Sequence, residues 1–216
     1  MGNINLAMTE SERLLEDILN KYGIAYERIP ESDIENEKTP DYLVLVNDLK
    51  SYWEVKELVP NEAEEAISKS VENGDGKIYS VNSRRIRNSI KSACEQFKNY
   101  GVTDSPCVVV VYDARPFETR DLLFYSELKA VMLGNAEFMV VNDGSFKEIS
   151  RKDALFNRNG KTYVSAIVVI HKHSKEVVMF HNPNAKFSLI ETEIKNILNH
   201  HEIATFTKTG VVWNRL

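Results

Sequence analysis

Residues 40–58 read PDYLVLVNDLKSYWEVKEL. Residues 41–46 (DYLVLV) are rich in aliphatic and β-branched side chains, residues 47–51 (NDLKS) are polar, and residues 52–58 (YWEVKEL) alternate. Two such runs joined by a short polar turn predict a β-hairpin, and Pro60 stops the second strand. Side chains two apart on a strand share a face. Glu54 and Lys56 therefore point one way, and Trp53, Val55 and Glu57 the other. An inward Glu-x-Lys pair is costly unless a partner or a metal compensates it. Asp41 begins the first strand, so the hairpin can bring the Asp41 and Glu54 carboxylates together with the Lys56 ammonium. Two carboxylates and the Val55 carbonyl are hard oxygen donors of the kind Mg²⁺ or Mn²⁺ prefers. Lys56 beside such a metal would hold or deprotonate a water and meet negative charge on a phosphate. The plainer reading of the same residues is the solvated face of an edge hairpin.

Outward from this hairpin the elements are separable. Upstream, Thr9 caps a helix with Glu12 at its third position, a capping box. Leu14, Leu15, Ile18, Leu19 and Tyr22 form one apolar stripe, and Gly23 ends the helix. Residues 24–29 alternate as a strand. Downstream, residues 61–76 are acidic and read as a short helix and a loop. Residues 84–100 form a long helix with Ile86, Ile90, Ala93, Phe97 and Tyr100 on one face. Arg84, Arg87, Lys91 and Lys98 fall on another face, at helical spacing. Residues 107–112 (CVVVVY) are a continuous β-branched run, the mark of a strand buried on both faces. A helix over 121–133, a short strand over 138–141, strands over 163–170 and 177–181, a helix over 188–200 and strands over 203–206 and 211–213 complete the reading. The fold class expected is α/β: a mixed central β-sheet flanked by helices, in one domain over 1–216, with 113–216 continuing the sheet of the 1–112 core as a β-rich elaboration.

The 216 residues are 43% hydrophobic and 27% charged, which suits a globular chain and excludes disorder or a coiled coil for the whole. No apolar run approaches the ~20 residues of a membrane span, and the first residues lack the charged-then-apolar pattern of a secretory signal. Cys94 and Cys107 have no CxxC context and read as core thiols of a reducing, cytoplasmic compartment. Net charge is −5, against a generic polyanion binder, but it is unevenly spread. Residues 1–76 hold 7 basic and 18 acidic side chains, and residues 77–216 hold 20 and 14. An acidic part beside a basic one is the balance a metal-dependent phosphate enzyme requires. His171 and His173 could share a strand face toward zinc, but no third ligand has suitable spacing. His181 opens HNPNA (181–185), which reads as a structural turn.

With Pro40-Asp41 followed by Glu54-Val55-Lys56, the sequence resembles the PD-(D/E)XK nuclease superfamily, which includes restriction endonucleases and archaeal Holliday-junction resolvases. The family core runs helix, strand, strand, strand, helix, strand, the order read over residues 9–112. The resolvase branch places a Glu-Arg pair eleven residues before the helix-ending glycine; Glu12-Arg13 and Gly23 stand so here. Many members carry glutamine, sometimes Gln-x-x-x-Tyr, on the helix after the motif, matched by Gln96 and Tyr100. The resemblance covers about the first half of the chain. It implies Mg²⁺- or Mn²⁺-dependent hydrolysis of nucleic acid, DNA first, by a restriction-endonuclease-like core. Asp41, Glu54 and Val55 would hold the metal with Glu12 in support, or Glu16 one turn later. Lys56 would position the water, Gln96 and Tyr100 would order the site, and Arg84, Arg87, Lys91 and Lys98 would follow the phosphate backbone. A homodimer is compatible with this class. The superfamily also contains non-catalytic members, so a nucleic-acid- or protein-binding module on the same fold, an accessory or immunity protein, is the rival expectation. A third is an interaction protein whose acidic half meets a basic partner.

Overall fold

The computed structural model describes residues 8–34, 38–74, 83–115, 120–142, 144–172, 174–196, 198 and 200–216. The architecture is α/β. Eight strands form one mixed sheet in the order β1-β2-β3-β4-β7-β8-β9-β10, and β5 and β6 form a separate two-stranded sheet. The first half runs α1 (Glu10–Lys21), β1 (Tyr26–Arg28), β2 (Tyr42–Val46), β3 (Leu49–Leu58), α2 (Glu62–Glu72), α3 (Ser83–Tyr100) and β4 (Cys107–Asp113). The second half adds α4 (Arg120–Leu133), β5 (Asn135–Val140), β6 (Phe146–Lys152), β7 (Val164–His171), β8 (Val177–His181), β9 (His201–Thr207) and β10 (Gly210–Arg215). Among the described residues, no helix is long and apolar enough to cross a membrane.

The β-branched run at β4 explains the layering. Cys107, Val109 and Val111 join the core under α3 and α4, while Val108, Val110 and Tyr112 join the core under α1. Every residue of β4 is buried, as is every residue of its parallel neighbour β7. Helices therefore cover both faces of the central strands. Cys94 and Cys107 are free and buried, and burial pushes the Cys94 thiol up to about 12.

Several sequence expectations are corrected. The β2–β3 turn is two residues, Asn47-Asp48, both at positive φ (47° and 63°), so β3 begins at Leu49 and not at residue 52. That is the backbone of a type I′ hairpin. The strand expected over 24–29 shortens to Tyr26–Arg28. The helix expected over 188–200 is absent from its described residues, where Glu193–Asn196 makes one 3₁₀ turn. Its apolar residues Leu189, Ile194 and Leu198 still pack on the α1 side. However, Thr192 Oγ1 donates to Leu189 O at 2.6 Å, and Ser188 Oγ accepts from Ile190 N. Such short side-chain bonds compete with helix formation. The strand near 138–141 is half of a hairpin whose partner β6 the pattern missed. This hairpin stands apart from the main sheet and does not continue it.

Candidate active site

The site forms where the sheet opens. Strand β2 pairs with β3 only as far as Tyr42↔Trp53, while β3 runs on to Leu58 with β4 on its other side. Beyond Trp53, no strand among the described residues lies on the β2 side of β3. The Asp41 side chain takes that place: Val55 N–H donates to Asp41 Oδ2 at 2.7 Å. A residue's N–H and C=O face the same neighbour in a ladder, so the Val55 carbonyl also faces this opening. Glu54 and Lys56 lie on the α3 face of β3. Lys56 Nζ donates to Glu54 Oε1 at 2.5 Å and also to Gln96 Oε1 from α3. Gln96 Nε2 is in turn anchored on Thr39 O at 3.3 Å, in the loop before Pro40. Asp41, Glu54, Lys56 and Gln96 thus converge from one loop, one strand and one helix.

The electrostatics are uneven. Glu54 is 2% exposed, and its Oε2 is buried with no hydrogen-bond partner. Burial first and Asp41 second push its carboxyl from 4.5 up to about 7, against the attraction of Lys56. Burial also raises Asp41, and Glu12 adds to the rise, while the Val55 N–H and Lys56 oppose it. Two carboxylates competing for one ammonium, with a lone-pair-rich oxygen left over, form a donor set that suits a small divalent cation. Asp41, Glu54 and the Val55 carbonyl are the oxygen donors here that could hold Mg²⁺ or Mn²⁺.

The supporting acids sit differently. Glu12 Oε2 accepts from Thr9 N at 2.7 Å and Thr9 Oγ1 at 2.9 Å, so its carboxylate closes the helix cap. Glu16 is held by Arg28 Nε at 2.5 Å, Tyr42 Oη at 3.0 Å and Tyr26 Oη at 3.2 Å. Glu12 still acts on Asp41 through space, adding to the rise of its carboxyl. Among the described residues no group of three or more His, Cys, Asp or Glu side chains is placed to hold a metal. Tyr100 is exposed and packs edge-on against Tyr52, with ring centroids 6.1 Å apart. On the basic face, Arg84, Lys91 and Lys98 are exposed, with Lys91 near Glu95 at 3.9 Å. Arg87 instead ties α3 to the Asp153 carbonyl at 2.5 Å.

A second concentration of charge escaped the sequence reading. At the ends of β4 and β7, Arg115 grips Asp113 through Nε at 2.7 Å and Nη2 at 3.1 Å, and His171 Nδ1 lies 3.5 Å from Asp113 Oδ2. Burial opposes ionisation of Asp113, but His171 and Arg115 outweigh it and bring the carboxyl to about 2. His171 Nε2 meets Tyr125 Oη at 2.8 Å, and buried Glu64 meets Arg85 at 2.7 Å. Acids and bases balance here, which marks a structural network. The one available signal was Asp113-Ala-Arg115 directly after an apolar strand. HNPNA is also structural. Asn182 Nδ2 donates to Val164 O at 2.7 Å, Asn184 N donates to Asn182 Oδ1 at 2.9 Å, and the His181 ring stacks on His201. Comparison with protein-family models, curated proteins and solved structures returns no match.

Proposed function

We propose that the chain is a metal-dependent nuclease that hydrolyses phosphodiester bonds in nucleic acid, with DNA as the first substrate to test. The observation that carries this reading is the pairing of half-buried Asp41 with buried Glu54, with one Glu54 oxygen unpartnered and Lys56 held beside it. Asp41, Glu54 and the Val55 carbonyl would hold Mg²⁺ or Mn²⁺, which when bound would supply a Lewis acid and a water acidic enough to attack phosphorus. Lys56 faces the same point. From there its ammonium would orient a water and meet the charge that grows on the phosphate oxygens. Gln96 holds that ammonium in place through its Oε1. Tyr100, packed on Tyr52, takes no part in this reading. The exposed Arg84, Lys91 and Lys98 would contact phosphates along the α3 surface.

The engagement of Glu12 in the helix cap favours a second reading, in which the two-carboxylate site binds metal and nucleic acid without cutting. One pair of measurements separates them. Supercoiled plasmid should be nicked with Mg²⁺ or Mn²⁺ and not with EDTA, and Asp41→Asn should abolish nicking. Mn²⁺ should also raise the melting temperature of wild type but not of Asp41→Asn, through binding linkage. A metal-induced shift without nicking selects the binding module. An unchanged melt and no nicking count against both.

A further inference from the structure

Five large apolar side chains stand in the open on one hairpin. Phe138, Met139 and Val140 of β5 and Phe146 and Ile149 of β6 are 56%, 46%, 63%, 67% and 58% exposed. Single exposed apolar residues need no explanation, but a contiguous group marks a contact surface. The hairpin forms its own two-stranded sheet, and such a sheet alone is marginal in water. Its base is anchored. Arg151 Nη1 donates to the Gly134 carbonyl at 2.8 Å, and Glu148 packs so close to Gly210 that a Cβ there would lie 2.6 Å from its Oε2. The register puts Val140 opposite Phe146 and Phe138 opposite Glu148 on one face. Met139 lies opposite Lys147, which puts Met139 and Ile149 on the other face. Both faces of the outer half therefore present apolar side chains to water.

We propose that this hairpin is the contact of a homodimer, its occupant being the same hairpin of a second copy. Charge argues for that choice. Glu137 pairs with Lys152 at 2.5 Å and Glu148 with Arg151 at 2.8 Å, leaving Lys147 as the one unpaired charge among the described hairpin residues. A nucleic acid selects a basic excess, and a charged protein partner selects the opposite sign. A nearly neutral apolar ribbon is compatible with itself, as a two-fold contact requires. Area sets the strength of that contact. Large apolar side chains bury ~150–200 Å² each. At the exposures above, Phe138, Val140 and Phe146, which share one face, offer roughly 300 Å² per copy and ~600 Å² per pair. That lies below the ~1,000 Å² of a stable specific interface and makes the contact a weak, concentration-dependent one.

Sedimentation velocity on the full chain tests this between ~1 and ~100 µM, the range of modest contacts. Wild type should pass with concentration from 24.7 kDa to twice that mass. Val140→Thr with Phe146→Ser should stay monomeric throughout, with an unchanged melting curve because both side chains are solvent-exposed. A wild type that remains monomeric at the highest concentration overturns the proposal. So does a double variant that dimerises like wild type. A monomeric wild type whose nucleic-acid affinity falls in the double variant assigns the surface to nucleic acid instead. None of these outcomes depends on cleavage, so the nuclease reading stands or falls separately.

Discussion

Glu54→Gln tests the electrostatics of the site without any substrate. The Glu54 carboxyl is 2% exposed and sits at about 7 in the folded chain, against an ordinary 4.5. Because the folded value is the higher one, the folded chain holds a proton that the unfolded chain has released across that interval. The contribution to stability is complete below ~4.5 and is lost as pH rises through ~7. About 2.5 units at ~1.4 kcal/mol each make a penalty of ~3 kcal/mol at pH 8. Glutamine keeps the shape and one oxygen acceptor for Lys56 but carries no charge. Part of the relief is offset because Lys56 loses its ion partner, so a net gain of ~1–2 kcal/mol is expected at pH 8 and almost none at pH 5. Urea denaturation of both proteins at the two pH values, with EDTA present, reads this directly. Millimolar Mg²⁺ at pH 8 should then stabilise wild type and leave the variant unmoved. Equal stability of the two proteins at pH 8, or the same gain at both pH values, would refute the assignment of a strained carboxylate pair.

Three further outcomes follow from the same geometry. Lys56→Ala should fold and bind nucleic acid while cleavage in the plasmid assay falls ~10²-fold, the usual loss when one charge-stabilising donor is removed; Glu57→Ala, a neighbour on the other face of β3, should cleave normally. Removing Arg84, Lys91 or Lys98 should weaken binding to all sequences alike and lower the slope of log affinity against log salt by ~1 each. Arg87→Ala should instead lower the melting temperature, because its guanidinium holds the Asp153 carbonyl. Burial first and His201 second hold His181 down at about 4 against an ordinary 6.5, so its contribution is present above ~6.5 and lost as pH falls toward 4. That loss is ~3 kcal/mol, should appear in pH-dependent urea melts, and should be absent from His181→Gln.

What was legible in the sequence is what short-range pattern determines. The β-branched 107–112 run, the α1 capping box and the 3.6-residue stripe of α3 each specify their element locally, and each element lies where the pattern put it. The 188–200 segment has helical periodicity but is settled by Ser188 and Thr192, whose hydroxyls bond backbone neighbours. Strand β6 (FKEISRK) carries four charges, and the pattern of a solvated ribbon resembles that of a loop. Of the Asp113–Arg115–His171 network only Asp113-Ala-Arg115 leaves a local signal; His171 comes from a strand far along the chain, and sequence spacing says nothing about parallel register.

The convergence of the candidate residues was legible for a more specific reason. Proline has no N–H and cannot donate to a ladder, so Pro40 sets where β2 can begin. The next residue, Asp41, is then the last group that can reach β3 from that side, and its carboxylate accepts the Val55 N–H that a longer β2 would have taken. Its carbonyl still accepts from Ile29 N at 2.9 Å, which pins the backbone as the side chain turns to β3. Glu54 and Lys56 follow Trp53, the last β3 residue with a partner on β2, so they lie beside the opening and not within the paired hairpin. Each feature is local in sequence: a proline, the carboxylate after it, a two-residue turn that sets the register, and an alternating Glu-x-Lys. What they could not specify is the third acid. Glu12 lies on a helix whose N-terminus must satisfy its own free N–H groups, and the Thr9 cap recruits that carboxylate. The spacing from Glu12 to Gly23 locates the residue along the chain, while the capping chemistry decides where its oxygens point.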